Sequence, residues 1–281
     1  MSADSRRSSI RARLFTVLLT GWILFAGSPG VQGSETSDPA RHWAYQPLRR
    51  PQVPGVGNPV DAFVRSALEP KSLKPNPEAD PRTLVRRLYF DLIGLPPSPD
   101  DVESFVRDTA PNRYERLVDR LLASPRYGER WGRHWLDVAG YADSDGASED
   151  DTPRGFAWKY RDWVIRALNA DLPFDRFVTE QLAGDEFVPQ PPKNLTPEQI
   201  DHLVATGFLR MAADGTASGG DAAVLRNAVV SDTLKIVSTG LLGLSVGCAQ
   251  CHDHRYDPIP QADYYRLRAV FEPALDWKNS R

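Results

Sequence analysis

Both cysteines of this 281-residue chain fall in one stretch, Gly247-Cys248-Ala-Gln-Cys251-His252-Asp253-His254. Two thiols three residues apart with an imidazole directly behind them are suited to three kinds of chemistry. They can form thioethers to the vinyl groups of a c-type haem while His252 ligates the iron from the proximal side. They can take zinc together with a histidine, or they can cycle between dithiol and disulfide. Chance produces this spacing roughly once in ten thousand, so the arrangement is a signal.

The zinc alternative draws on Cys248, Cys251, His252 or His254, and a fourth ligand such as His134 or Asp257. Structural zinc sites commonly use two close ligand pairs, and the sequence offers one. A thioredoxin-type dithiol would follow a β-strand in a βαβ unit, a pattern not found before Cys248. For haem, the open question is the second axial position. His254 is poorly placed for it, because a two-residue step does not readily cross the porphyrin that His252 already ligates. Met211 is the one methionine besides Met1, and it precedes a glycine-rich loop. His134 is the preferred distal candidate, with His202 and His42 behind it.

The elements that must position these residues repeat one helix-start pattern, a capping side chain followed by proline at the first helical position. Asn58-Pro59 opens a helix with Val60, Phe63, Val64, Ala67 and Leu68 on one face. Asp80-Pro81 opens another with Leu84, Leu88 and Leu92 inward, and Ser98-Pro99 starts a third with Asp101 placed for a capping box. A fourth spans Asn112 to Leu122. Ser124-Pro125 begins the helix that carries His134. Tyr127, Trp131, His134, Val138 and Tyr141 share one face of it, Trp135 sits on the shoulder, and Gly128 and Gly132 line a neighbouring face that admits close approach. Two amphipathic helices follow, in Gly155–Leu168 and Leu172–Gly184, and Thr196-Pro197 caps the next. Ala212–Gly220 reads as a flexible loop. A long helix from Ala222 to about Leu244 delivers the Cys motif, which resembles that of helical bundles whose attachment motif falls in the last helix. One short helix, around Asp263–Phe271, closes the chain. The expected fold is therefore mostly α, a multi-helix, bundle-like domain with proline-capped helices and long loops.

At the N-terminus, Arg6, Arg7, Arg11 and Arg13 precede the apolar run Leu14–Ala26 and then small residues up to Gly33, the order of a secretory signal. Its removal, with Asp4, leaves 30 basic against 36 acidic side chains, so nothing favours a nucleic-acid partner. A mean hydropathy of −0.42 excludes a polytopic membrane protein, and no membrane span is expected after signal cleavage. Export suits the haem reading, since c-type haem is attached outside the cytoplasm, and the expected location is periplasmic or cell-surface. Residues 34–57 read as an extended proline-rich arm, docked through Trp43 and Tyr45. The acidic stretch Asp143–Asp151 lacks the full calcium-loop pattern and reads as a solvated turn. Asp143 and Asp145 alone do not make a case for a polysaccharide-acting enzyme. No nucleophile elbow, phosphate loop or His-Glu-x-x-His motif occurs, so no catalytic residue is assigned.

Several longer runs resemble a known family. Arg86-Arg-Leu-Tyr-Phe-Asp-Leu-Ile-Gly-Leu-Pro96-Pro97, Leu121-Leu-Ala-Ser-Pro-Arg-Tyr-Gly-Glu-Arg-Trp-Gly-Arg-His134-Trp-Leu-Asp137, Tyr160-Arg-Asp-Trp-Val164, Glu180-Gln-Leu-Ala-Gly-Asp185 and Gly247–Pro260 are similar to the planctomycete cytochrome-like domain of unknown function, the second of the PSCyt domains. The resemblance covers residues 42 to about 272. It implies an exported bacterial protein with a haem c site at Cys248, Cys251 and His252, and it assigns no reaction. Members often carry another cytochrome-like domain in front and a second domain behind. The expected organisation is a signal peptide over 1–33, the arm over 34–57 and a single helical cytochrome-like domain over 58–281, with a redox partner protein or C-terminal domain outside the chain. The function expected is that of an exported c-type haem-binding protein in electron transfer or as a redox accessory. The alternative is a structural or interaction module stapled by zinc or a disulfide.

Overall fold

The computed structural model describes residues 43–146, 152–215 and 220–275. The segment expected to be a signal peptide, His42 and parts of the acidic and glycine-rich loops lie outside them. The chain divides into two units, one formed by residues 48–253 with 259–281 and a small one formed by residues 1–47 with 254–258.

The larger unit holds ten α-helices among the described residues: α1 Pro59–Leu68, α2 Pro81–Leu92, α3 Pro99–Arg107, α4 Arg113–Leu122, α5 Pro125–Ala139, α6 Ala157–Asn169, α7 Phe174–Ala183, α8 Pro197–Ala205, α9 Ala222–Leu242 and α10 Gln261–Phe271. The one β feature among the described residues is an isolated bridge between Ser144 and Pro153. The mostly α fold expected from the sequence is what the structure contains. Its helix starts follow the capping rule: the side chains of Asn58, Asp80, Ser124 and Asp221 each accept a backbone N–H of the following turn. Full capping boxes occur at Ser98 with Asp101 and at Thr196 with Gln199.

Helices α2, α3 and α4 close around their own small core of Val85, Leu88, Tyr89, Phe105, Leu117 and Leu121. A polar pin joins them. The Tyr89 hydroxyl accepts Arg120 Nη2 at 3.0 Å, and Arg120 reaches Asp101 at 3.1 Å. Burial first, then the Asp101 carboxylate, pushes the Tyr89 phenol up to about 12, while the Ser98 hydroxyl chiefly holds Asp101 below the usual carboxylate range.

The main core joins α5 to α10 through Leu136, Tyr160, Trp163, Phe177, Phe208, Leu234 and Tyr264. At its centre the Gln181 Oε1 accepts both the Tyr160 hydroxyl at 2.6 Å and the Trp135 indole N–H at 2.8 Å, and Gln181 Nε2 donates to the Phe177 carbonyl. Every polar atom of that amide's oxygen side is thereby satisfied inside an aromatic cluster.

Two expected faces are turned the other way. In α1, Val60 (70%), Phe63 (40%) and Val64 (49%) are exposed and Ala62 is the buried residue. In α5, Trp131, His134 and Val138 face solvent, whereas Gly128, Gly132, Leu136 and Ala139 are buried. The physical reason is the closeness of α6. A Cβ on Gly128 would sit 2.4 Å from the Ile165 carbonyl oxygen, and one on Gly132 would sit 3.2 Å from Ile165 Cγ1. Gly128 N also donates to Asn169 Oδ1 at 2.8 Å, while Asn169 Nδ2 returns a bond to the Pro125 carbonyl at 3.1 Å. Glycines that admit another helix must face it, so the aromatics flanking them point outward.

Replacing Gly128 with Ala forces backbone apart and should cost about 3 kcal/mol of unfolding free energy. Urea denaturation checks this, and an unchanged midpoint would contradict the close α5–α6 contact. Asp101 supplies a second expectation. Its folded pKa is depressed, so its contribution to stability is present above the unfolded value of about 3.9 and is lost as pH falls through the folded value. Stability of Asp101→Asn should therefore decline less steeply than that of the wild type between about pH 5 and 2, measured by urea titration at stepped pH.

Candidate functional site

Helix α9 stops at Gly243, whose φ of 65° lies in the left-handed region that glycine enters without a Cβ penalty. The Leu244 amide then bonds the Ser238 carbonyl at 3.1 Å, and Cys248 N bonds the Ser245 carbonyl at 3.0 Å, starting a 3-10 turn over Val246–Gln250. In such a turn residues i and i+3 lie one above the other. Val246 and Ala249 make the inner pair and are buried, Ala249 completely. Cys248 and Cys251 make an outer pair, and both thiols are exposed and free. The motif thus lies on a turn between α9 and α10, not within the last helix, because Gly243 has already ended α9.

The turn is tied down on both sides. Gln250 Nε2 donates to Ser231 Oγ on α9 at 3.2 Å, and Ser231 Oγ pairs with the Tyr264 hydroxyl of α10 at 3.1 Å. The Gln250 carbonyl accepts Gln261 Nε2 at 3.1 Å and the Tyr265 hydroxyl at 3.3 Å. His252 follows, exposed, with Nδ1 2.7 Å from the Asp253 carbonyl oxygen. A carbonyl can only accept, so Nδ1 is the donor in this contact, and in the neutral ring the lone pair is then on Nε2. That is the tautomer an imidazole needs to ligate a metal through Nε2.

His134, Met211 and His202 belong to other parts of the chain. His134 is exposed on α5, where its ring meets Trp131 edge-on at 5.5 Å. Met211 is buried in the main core. His202 on α8 packs on the Phe187 ring at 5.2 Å, with Nε2 3.7 Å from Glu180. No hydrogen bond, ion pair or ring contact among the described residues ties any of the three to the Cys turn. In the small unit, His254 is buried and its Nδ1 accepts the backbone N–H of Asp257 at 2.8 Å and of Tyr256 at 3.2 Å. That nitrogen is committed to the loop. Tyr45 of the arm belongs to the same unit. It is more than a third exposed, at 37%; the Trp43 side chain lies outside the described residues.

Among the described residues, no three His, Cys, Asp or Glu side chains converge to hold a metal ion. The acidic stretch is likewise occupied locally: the Tyr141 hydroxyl donates to Asp143 Oδ1 at 2.5 Å, and Asp145 is buried beside Arg154, which donates to the Asp145, Met211 and Ala212 carbonyls. Sequence reasoning did not single out Ser231, Gln250, Asp253, Gln261 or Tyr265. Their partners on other elements lie 8 to 33 residues away, and no periodic pattern marks such pairs. The one available signal was the Pro258–Pro260 break, which starts α10 and brings Gln261 back to Gln250.

Residues 59–275 match the model of PSCyt2, described as a protein of unknown function (DUF1549). No curated protein and no solved structure matches the chain.

Exposure of the turn sets an expectation for the reduced protein without haem. Both thiols should react with a disulfide reagent in the folded state, giving two equivalents per chain without denaturant. A titre that reaches two only after unfolding would contradict the outward placement of Cys248 and Cys251.

Proposed function

The chain belongs to the PSCyt2 family, whose function is unknown, and from that premise we propose that it is an exported c-type haem-binding protein that transfers electrons or serves a redox enzyme as accessory. The observation that carries this reading is the turn itself. One short, anchored segment presents both thiols of a Cys-x-x-Cys-His run to solvent and holds the adjacent imidazole with its proton on Nδ1. Those residues fit haem c: Cys248 and Cys251 would hold it as thioethers, and His252 would ligate through Nε2. When bound, the haem supplies a one-electron couple. The protein's part is to keep the turn rigid through Gln250, to fix the tautomer through the Asp253 carbonyl, and to leave the attachment face open.

Exposure also suits the attachment step, since a haem-loading machinery must reach both sulfurs. The Arg-rich and apolar N-terminal segment supports delivery outside the cytoplasm, to the periplasm or cell surface, where such loading takes place. A partner protein or domain would then exchange electrons with the haem.

Expression of the full chain with a haem-attachment system, followed by mass spectrometry of the exported product, tests the reading. The expected product is heavier by one haem that survives denaturation, shows a Soret band, and loses the covalent link in Cys248→Ala and Cys251→Ala. A colourless product of unmodified mass, one lighter by two protons, or one that releases zinc would overturn it.

A further inference from the structure

Asp253 makes two hydrogen bonds from two different groups. Its carbonyl oxygen accepts the His252 Nδ1–H at 2.7 Å, and its carboxylate Oδ1 accepts the backbone N–H of Gln261 at 2.7 Å. Gln261 is the first residue of α10, and its amide is one of those that a helix start leaves without an intrahelical partner. Pro260, at the cap position, brings no side-chain acceptor. The cap comes instead from Asp253, eight residues upstream, and its negative charge is favoured at that end of the helix. Gln261 meanwhile donates through its side chain to the Gln250 carbonyl at 3.1 Å. A single residue of α10 therefore grips the chain on both sides of Cys251-His252. The side-chain grip fixes the cysteine end, and the amide grip fixes the histidine end.

We propose that Asp253 is a positioning residue for the proximal histidine: its carboxylate, anchored on the first amide of α10, aims its own carbonyl at His252 Nδ1 and so sets the tautomer, orientation and basicity of the ligand. This rests on the haem reading above for its redox consequence, but its structural half concerns the imidazole alone. An imidazole that donates from Nδ1 is a stronger electron donor through Nε2 and favours ferric iron. Loss of the anchor should thus raise the midpoint potential and lower the iron–histidine stretching frequency.

The test uses the full chain in two states. Without haem, histidine NMR should place the His252 proton on Nδ1 in the wild type and largely on Nε2 in Asp253→Ala. With haem attached, resonance Raman and potentiometry should show the lowered stretch and the raised potential in Asp253→Ala, while Asp253→Asn, which keeps an acceptor for the Gln261 amide, retains the wild-type stretch. Gln261 separates the two grips. Gln261→Ala keeps the amide and should leave His252 unchanged, whereas Gln261→Pro, tolerated at a first helical position, removes the amide and should copy Asp253→Ala. Circular dichroism confirms folding of each variant. A wild-type tautomer in folded Asp253→Ala or Gln261→Pro overturns the proposal. A wild type that never acquires haem overturns the haem reading and the redox consequence, and leaves the tautomer result to decide the structural half.

Discussion

Burial of Ala249 is the constraint on which the site depends. Its side chain has no exposed surface, and Val246, its i−3 partner, is nearly as enclosed, in the same core as Val230, Leu234 and Val237 of α9 and Tyr264 of α10. A 3-10 turn has three residues per revolution, so fixing one edge inside fixes the other edges as well. A slip of one residue would bury a thiol or expose the core alanine. The outward placement of Cys248 and Cys251 is therefore a consequence of apolar packing, not of any interaction the thiols make. Gln250, on the third edge, supplies the polar ties that stop the turn from rocking about its buried side.

Helix α5 packs against several other parts of the larger unit. Its first half is seated on α6 through Gly128 and Gly132, and its far end reaches α9, where a Cβ on Gly140 would meet Ile236 Cδ1 at 3.5 Å. It also touches the three-helix satellite: Arg130 Cδ lies 2.7 Å from where a Cβ on Gly94 would stand. At Gly128 the approach leaves no room for a Cβ and at Gly132 little, whereas Gly140 and Gly94 stand at φ of +72° and +71°, where a side chain is strained whatever the space. Close approach trades side-chain packing for backbone proximity, and the Asn169 bonds to Gly128 N and the Pro125 carbonyl offset part of what is lost.

Local chemistry was legible in the sequence wherever one residue type decides an outcome. Asn58, Asp80, Ser98, Ser124 and Thr196 before proline marked five helix starts, and the structure places a helix after each. The Cys-x-x-Cys-His spacing marked the candidate site. Orientation was less legible, because α1 and α5 each carry two plausible faces and periodicity alone does not choose between them. For α5 the choice is made by α6, a partner that periodicity cannot supply. Trp135 shows the same limit: a shoulder residue by spacing, it reaches Gln181, 46 residues away, by a hydrogen bond and meets the Phe177 ring edge-on at 4.9 Å. The supporting shell of the turn was hidden for the same reason, since Ser231, Gln250 and Gln261 are ordinary polar residues until the fold brings them together.

The exposure of the Cys turn also bears on which of the two proposed redox roles is the more reasonable. Chemistry on a bound substrate is favoured by an enclosed, mostly apolar cavity with a few placed polar groups, and that enclosure controls both solvent access and dielectric around a metal. The Cys turn offers the opposite surroundings: Cys248, Cys251, His252 and Asp253 are all exposed, and the nearby Tyr265 is half-exposed. A cofactor held there would lie within reach of another protein's surface, which shortens the distance an electron must cross. Rigid ties at Gln250 and Asp253 add to this, because a ligand held in one geometry in both oxidation states requires little rearrangement on electron exchange. Under the proposed haem reading, openness combined with local ties favours electron transfer over substrate turnover at this site.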